Sequence, residues 1–298
     1  MNKKILGTSF VLSSLISAVM IIGVMIVFIL TILLGGWHYL SWEFLTSPPE
    51  EGMTAGGIFP AIAGTVFLVL LMSLAGVPVG TITAIYLSEY ANRNSIFTKM
   101  IRFAVNTLAG VPAIVFGLFG VGFFIQFIGG GMDHFLSGGG QMVWRQGNVL
   151  WASLTMALLT LPVVIVSVEE ALRSVPHEYR EASLALGATK FQTVIKIVLP
   201  NAYTGILTGT ILAVGRGAGE VAPILFTGAA YYLPQIPSSL SDQFMHLGYH
   251  LYIMSTQSPD VEATLGIQYA TAFVLLVLTF FLNFSAIVLR YRLRARIR

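Results

Sequence analysis

The sequence predicts an all-α integral membrane protein with about six transmembrane helices, on three observations. Charged residues make up only 10% of the chain while 56% are hydrophobic. Soluble domains carry about 25% charged residues, so this chain lacks the polar surface to cover itself in water. Six apolar segments are each long enough to cross a bilayer, which takes about 20 residues. Finally, the basic residues alternate between loops as they do in membrane proteins with a fixed orientation.

The first apolar run follows Lys3 and Lys4 and extends over about 10–34. It is longer than the roughly 7–15-residue core of a cleavable signal and has no A-x-A site behind it, so it reads as a retained first helix. An acidic outer loop carrying Ser47-Pro48-Pro49 follows, and residues 1–57 are set apart from a core of 58–298. The second and third spans, about 58–87 and 101–128, are interrupted by Gly76, Pro78 and Gly80 and by Gly110, Pro112 and Gly117. Kinks or re-entrant turns are expected there. The glycine triplets 129–131 and 138–140 read as loops. Spans four to six fall at about 148–170, 203–227 and 264–289. No internal repeat and no appended soluble domain is evident.

With the N-terminus inside, 14 of the 16 lysines and arginines fall in cytoplasmic segments, leaving Arg145 outside and Arg216 within a span. Both termini are therefore expected to be cytoplasmic. The alternating arginines from Arg290 to Arg298 read as a stop-transfer anchor against lipid headgroups rather than a nucleic-acid site. The absence of cysteine excludes disulfides, thiolate metal sites and cysteine nucleophiles. No G-x-x-x-x-G-K-[ST] occurs, so no P-loop binds ATP here, and no nucleophile–base arrangement points to an enzyme. His246 and His250, with Asp242 one turn earlier, have a zinc-like spacing but are equally explained by a surface amphipathic helix. Glu169 and Glu170, at the inner end of the fourth span, read as interfacial and solvated.

Two features stand out. The longest cytoplasmic segment, about 171–202, reads as a helix–glycine–helix elbow. Pro176 suits a first helical turn, Gly187 suits a left-handed helix end, Thr189 suits an N-cap, and Pro200 is expected to stop the second helix before the fifth span. The second feature is the Arg216/Glu220 pair, four residues apart in the apolar fifth span. A charge at the bilayer centre costs about 2.5–3.5 kcal/mol on insertion scales. At 100° per residue, Gly205, Gly209, Ala213, Arg216 and Glu220 share about one quarter of the helix surface. Such a stripe suits close approach of a second subunit, or a pathway wall. Arg216 is read either as the group that attracts a crossing oxyanion, with Glu220 holding it or accepting a proton-bearing oxygen, or as half of an internal salt bridge.

The run Glu181-Ala182-Ser183, three residues, Gly187, nine residues, Ile197-Val198-Leu199-Pro200 resembles the EAA loop of ABC importer permeases, with Ser183 in place of an alanine. Gly215-Arg216-Gly217-Ala218-Gly219-Glu220-Val221-Ala222-Pro223, with Leu225-Phe226-Thr227-Gly228, is similar to the fifth-helix signature of the phosphate-specific (Pst) permeases. Ala84 to Tyr90 and Ala109 to Gly117 resemble the same family, and the A-P-I-L-F-T-G run looks more like the PstA type than the PstC type. The resemblance implies a type I importer permease fold and an elbow of Glu181, Ala182, Ser183, Gly187, Ile197, Leu199 and Pro200 docked on an ATPase. It also implies a paralogous PstC-like permease, a PstB-like ATPase dimer that binds the ATP and Mg, and a PstS-like phosphate-binding protein outside. This chain itself is expected to hold no cofactor or metal and to reside in a bacterial or archaeal cytoplasmic membrane. A permease for another oxyanion, sulfate or molybdate, is the nearest alternative. An ion-coupled secondary transporter, which usually has paired repeats and several intramembrane polar sites, is a more distant one.

Overall fold

The fourth span is the axis around which the chain is built. The computed structural model describes residues 3–92, 94–138, 140, 142–258 and 260–297. Among them, six helices are long and apolar enough to cross a membrane: Phe10–Tyr39, Phe59–Tyr90, Ala113–Leu136, Val149–Arg173, Lys190–Gly217 and Val261–Arg292. Two-thirds of the fourth span's apolar window is buried, more than in any other. Its Ser153, Thr155 and Thr160 sit within this apolar core because each hydroxyl donates to a carbonyl one turn back.

Small residues let its neighbours approach closely, as expected where apolar contact alone does not distinguish protein from lipid. On one side Gly76 of the second span meets Ala157, and Gly80 meets Val164. On the other, Gly205 of the fifth span meets Ala171 and Gly209 meets Ser167. The first span leans on the sixth, where Gly36 lies against the backbone of Ala270. Its remaining faces are exposed from Phe10 to Phe28.

Three expectations are corrected. The third span is Ala113–Leu136 rather than 101–128: the interruption expected at Gly110 and Pro112 is a full break, which separates a helix Ile96–Ala109 from the next helix at Ala113. Pro112 lacks a donor and disfavours helix at Val111, so the chain restarts there. The fifth span ends at Gly217, ten residues earlier than expected, and a break at 218–223 precedes a short turn Ile224–Thr227. At its other end Pro200 does not stop the helix. Lys190–Thr193 runs through a π-helical turn, Val194–Val198, into Leu199–Gly217. The wider turn precedes Pro200 at the start of this last segment, where a missing N–H is tolerated.

The loops opposite the elbow form a cap. Phe44, Met53, Ile58, Met245, Leu247, Ile253 and Met254 share one apolar cluster. A two-residue ladder pairs Pro49–Glu50 with Ala55–Gly56. The helix Leu247–Thr256 is not a surface helix. His246 and His250 are buried, His246 Nδ1 accepts the Gly248 N–H, and Leu247 N donates to Thr65 Oγ1 at 2.9 Å. Asp242 instead accepts from Ser238 and Ser239, so the three residues form no metal-binding face.

Candidate functional site

Arg216 occupies the penultimate position of the fifth-span helix, just before the break at 218–223, and shares a cavity with the interruption that follows Ala109. The cavity, of ≈ 290 Å³, is lined also by Leu108, Val111, Leu159, Pro162 and Ser167. Leu159 and Pro162 lie midway along Val149–Arg173. The groove is therefore at mid-depth, with the breaks at 110–112 and 218–223 beside it. Irregular backbone at such depth persists only where protein or a polar cavity satisfies it. Arg216 is half exposed on the open side of this groove, and its Nε lies 3.4 Å from Glu220 Oε1. A guanidinium presents several donors in a fixed plane, which suits a tetrahedral oxyanion.

The expected geometry of this pair changes in two ways. Glu220 is not on the helix but in the break that follows it, so the pair spans a chain turn. The stripe Gly205, Gly209, Ala213 faces the fourth span of the same chain rather than a second subunit. It sets how closely the helix carrying Arg216 sits against the groove wall.

Glu169 was expected to be solvated. It is 8% exposed, and its Oε2 accepts from Arg102 at 3.0 Å and lies 3.4 Å from Arg173. Arg216–Glu220 is thus not the only ion pair within the spans. Arg102, Arg180 and Glu89 were not singled out from the sequence either. The signal was present in charges recurring at the ends of apolar runs, but pairing across 67 and 91 residues is invisible without the fold.

At the elbow, Pro176 caps a helix His177–Ala185 and Gly187 takes φ +86°. Thr189 opens the second arm with a reciprocal capping box to Gln192. Ser183 Oγ and Thr193 Oγ1, 2.9 Å apart, tie the two arms together. The spacing brings Ala182, Ser183 and Ile197 around one shallow apolar groove with Tyr179 and Leu186. Glu181 is exposed and pairs with His177 at 3.0 Å, Leu199 packs inward, and Pro200 is exposed.

Residues 76–298 match the family described as binding-protein-dependent transport system inner membrane component, and the chain belongs to it. A probable ABC transporter permease protein, YqgI of Bacillus subtilis (strain 168), is 30% identical over 246 residues, 78% of each chain. The phosphate transport system permease protein PstA of Haemophilus influenzae is 33% identical over 245 residues, 82% of this chain and 75% of that one. PstA of Mycobacterium leprae is 40% identical over 177 residues, 59% of this chain; the match spans about half of that relative's length, 52%. Among solved structures, a bacterial alginate ABC transporter aligns over 98% of this chain and 97% of its own, with TM-score 0.67 and 16% identity. The MetNI methionine ABC transporter aligns over 81% and 94%, with TM-score 0.54 and 18% identity. The fold is that of ABC importer permeases.

Proposed function

We infer that this chain is the membrane-spanning permease subunit of an ATP-driven ABC importer of inorganic phosphate and forms half of its translocation pathway. The observation that carries the reading is Arg216, exposed at mid-depth on a groove bordered by backbone breaks. The likeness to PstA proteins supports phosphate as the anion. In a groove of low dielectric the guanidinium attracts the anion, and Glu220 accepts a hydrogen bond from a protonated phosphate oxygen, which sulfate does not offer near neutral pH.

One side of the groove is open, and a paralogous PstC-like permease closes it. A PstB-like ATPase dimer, which binds the ATP and Mg, docks on the apolar groove of the elbow formed by Ala182, Ser183 and Ile197. A PstS-like protein delivers phosphate to the opposite end. Arg102, Arg173, Arg180, Lys190 and Lys196 all lie at the elbow end, against Arg145 at the other, which supports a cytoplasmic elbow and cytoplasmic termini. ATP binding favours one of two packings of the spans, and the groove faces opposite sides in the two.

The test is ATP-driven phosphate uptake into vesicles holding the four-component complex, wild type against Arg216→Gln, with assembly and basal ATPase activity followed in the same samples. An assembled variant that hydrolyses ATP and imports no phosphate supports the pathway role. Uptake near the wild-type rate makes the pair structural. A wild type that imports sulfate or molybdate in place of phosphate moves the substrate assignment and keeps the permease.

A further inference from the structure

The second span ends in a π-helical turn, Tyr86–Tyr90, and side chains from two other parts of the fold hold this turn. From the elbow helix, Arg180 reaches it as a fork. Its Nη2 donates to Glu89 Oε1 at 2.8 Å and its Nε to Glu89 Oε2 at 3.3 Å. The same guanidinium donates to the carbonyls of Leu172 at 2.8 Å and Val175 at 2.7 Å, where the fourth span ends. From the helix Ile96–Ala109, Arg102 donates to the Leu87 carbonyl of the same turn at 3.0 Å and to Glu169 at 3.0 Å. Lys190, on the second arm of the elbow, places its ammonium 5.3 Å from the Tyr90 ring centroid.

The Arg180–Glu89 pair differs from an ordinary surface ion pair. The side chains are only 15% and 8% exposed, the contact is bidentate, and the residues are 91 positions apart. The covalent path from the end of the second span to the elbow helix runs through the whole of the third and fourth spans. An exposed pair holds two flexible side chains weakly, whereas a buried, fully donated fork fixes both backbones. Arg102 continues the connection. It links the turn to a helix whose last residues, Leu108 and Ala109, line the groove beside Arg216.

We propose that Arg180 and Glu89 are positioning residues that carry displacement of the elbow into the second span and, through the Tyr86–Tyr90 turn and Arg102, into the groove wall. The inference rests on the permease reading above and assigns these residues a part in transport without contact with the anion. Movement of the elbow helix then drags the ends of the second and fourth spans together, because close-packed helices shift as units rather than deform. Without the fork, the elbow pulls on the fourth span through Ser174-Val175-Pro176 and on the fifth through its second arm, while its side-chain hold on the end of the second span is reduced to Lys190 over Tyr90.

The measurement is phosphate moved per ATP hydrolysed by the reconstituted four-component complex. A purely structural role for the pair lowers yield and melting temperature and leaves this ratio unchanged. Glu89→Gln, which leaves Arg180 its carbonyl acceptors, and Arg180→Gln are expected to lower the ratio by about fivefold or more, in the range of typical site-to-site couplings. Because the chain has no cysteine, the pair Glu89→Cys/Arg180→Cys, in partners stripped of cysteine, provides a rescue. Free thiols are expected to give the low ratio, and bridging them with a short bis-maleimide to restore it.

A Glu89→Gln complex with the wild-type ratio overturns the inference alone. So does a bridged cysteine pair that assembles and stays uncoupled, and this variant decides the matter if Arg180→Gln does not assemble. The ratio is measured for whichever oxyanion the wild type moves; a wild type that moves none overturns the permease reading and this inference together.

Discussion

Replacing Gly209 by alanine tests the packing that positions Arg216. A Cβ added at Gly209 would lie 2.5 Å from the Cβ of Ser167, where ordinary contact begins near 3.4 Å. The shortfall is about 1 Å measured against normal carbon–carbon separations. Ser167 cannot relieve it by rotating, because its Cβ is fixed to the backbone. The fourth and fifth spans must part at this level, and such overpacking costs about 1–3 kcal/mol. Alanine gains about 0.5–1 kcal/mol over glycine as a helix former, so the net loss lies between about 0 and 2.5 kcal/mol, with about 1–2 kcal/mol in the middle of that range.

The assay is thermal unfolding of the purified protein in detergent, where 1–2 kcal/mol corresponds to roughly 2–8 °C for a chain of this size. Gly23→Ala is the control, since nothing lies within 4 Å of a Cβ there, and it is expected to be neutral or slightly stabilising. Ser167→Gly supplies the missing space, and the double variant Gly209→Ala/Ser167→Gly is expected to recover most of the loss, with a coupling of about 1 kcal/mol. If Gly209→Ala is as stable as Gly23→Ala, or Ser167→Gly gives no recovery, the close contact of the two spans is not what fixes Arg216.

Two further outcomes follow from the cap and the elbow. Burial pushes the His246 and His250 imidazoles down to about 4, from an ordinary value near 6.5. The unfolded chain therefore binds protons that the folded one refuses, and stability falls as pH drops from about 6.5 towards 4, by up to roughly 3 kcal/mol per histidine, then levels off. Melting curves across this range check it, and His250→Gln is expected to flatten the slope. At the elbow, Gly187→Ala forces a Cβ into the left-handed region at φ +86°, a cost of about 1 kcal/mol or more. Hydrogen exchange at the amides of Gly187 and Ala188, which close the helix end on Leu184 and Ser183, is expected to quicken. Unchanged protection there counts against the cap.

The sequence alone determined that the chain spans a membrane about six times, because apolar length and scarce charge are properties of segments and need no partner. It also determined the elbow, since Pro176, Gly187 and Thr189 each act within a few residues through backbone geometry. It marked Arg216, because a charge in an apolar run is conspicuous wherever the run is placed. It marked the break at Gly110 and Pro112 but did not determine which proline and glycine signals break a helix, since Phe59–Ile85 runs on through Pro78. Pro112 and Pro200 are the same residue type, yet one interrupts a helix and the other sits in one, because the π turn before Pro200 accommodates what the backbone at Gly110-Val111 does not. Glu169, His246 and His250 read as solvated or surface features in one dimension, and Glu89 drew no reading of its own. Only the tertiary structure buries them, since burial depends on which helices meet, and helix pairing is set by small residues such as Gly80 and Gly209 facing positions far away in the chain. The groove beside Arg216 is likewise a product of three separate helices brought to one depth.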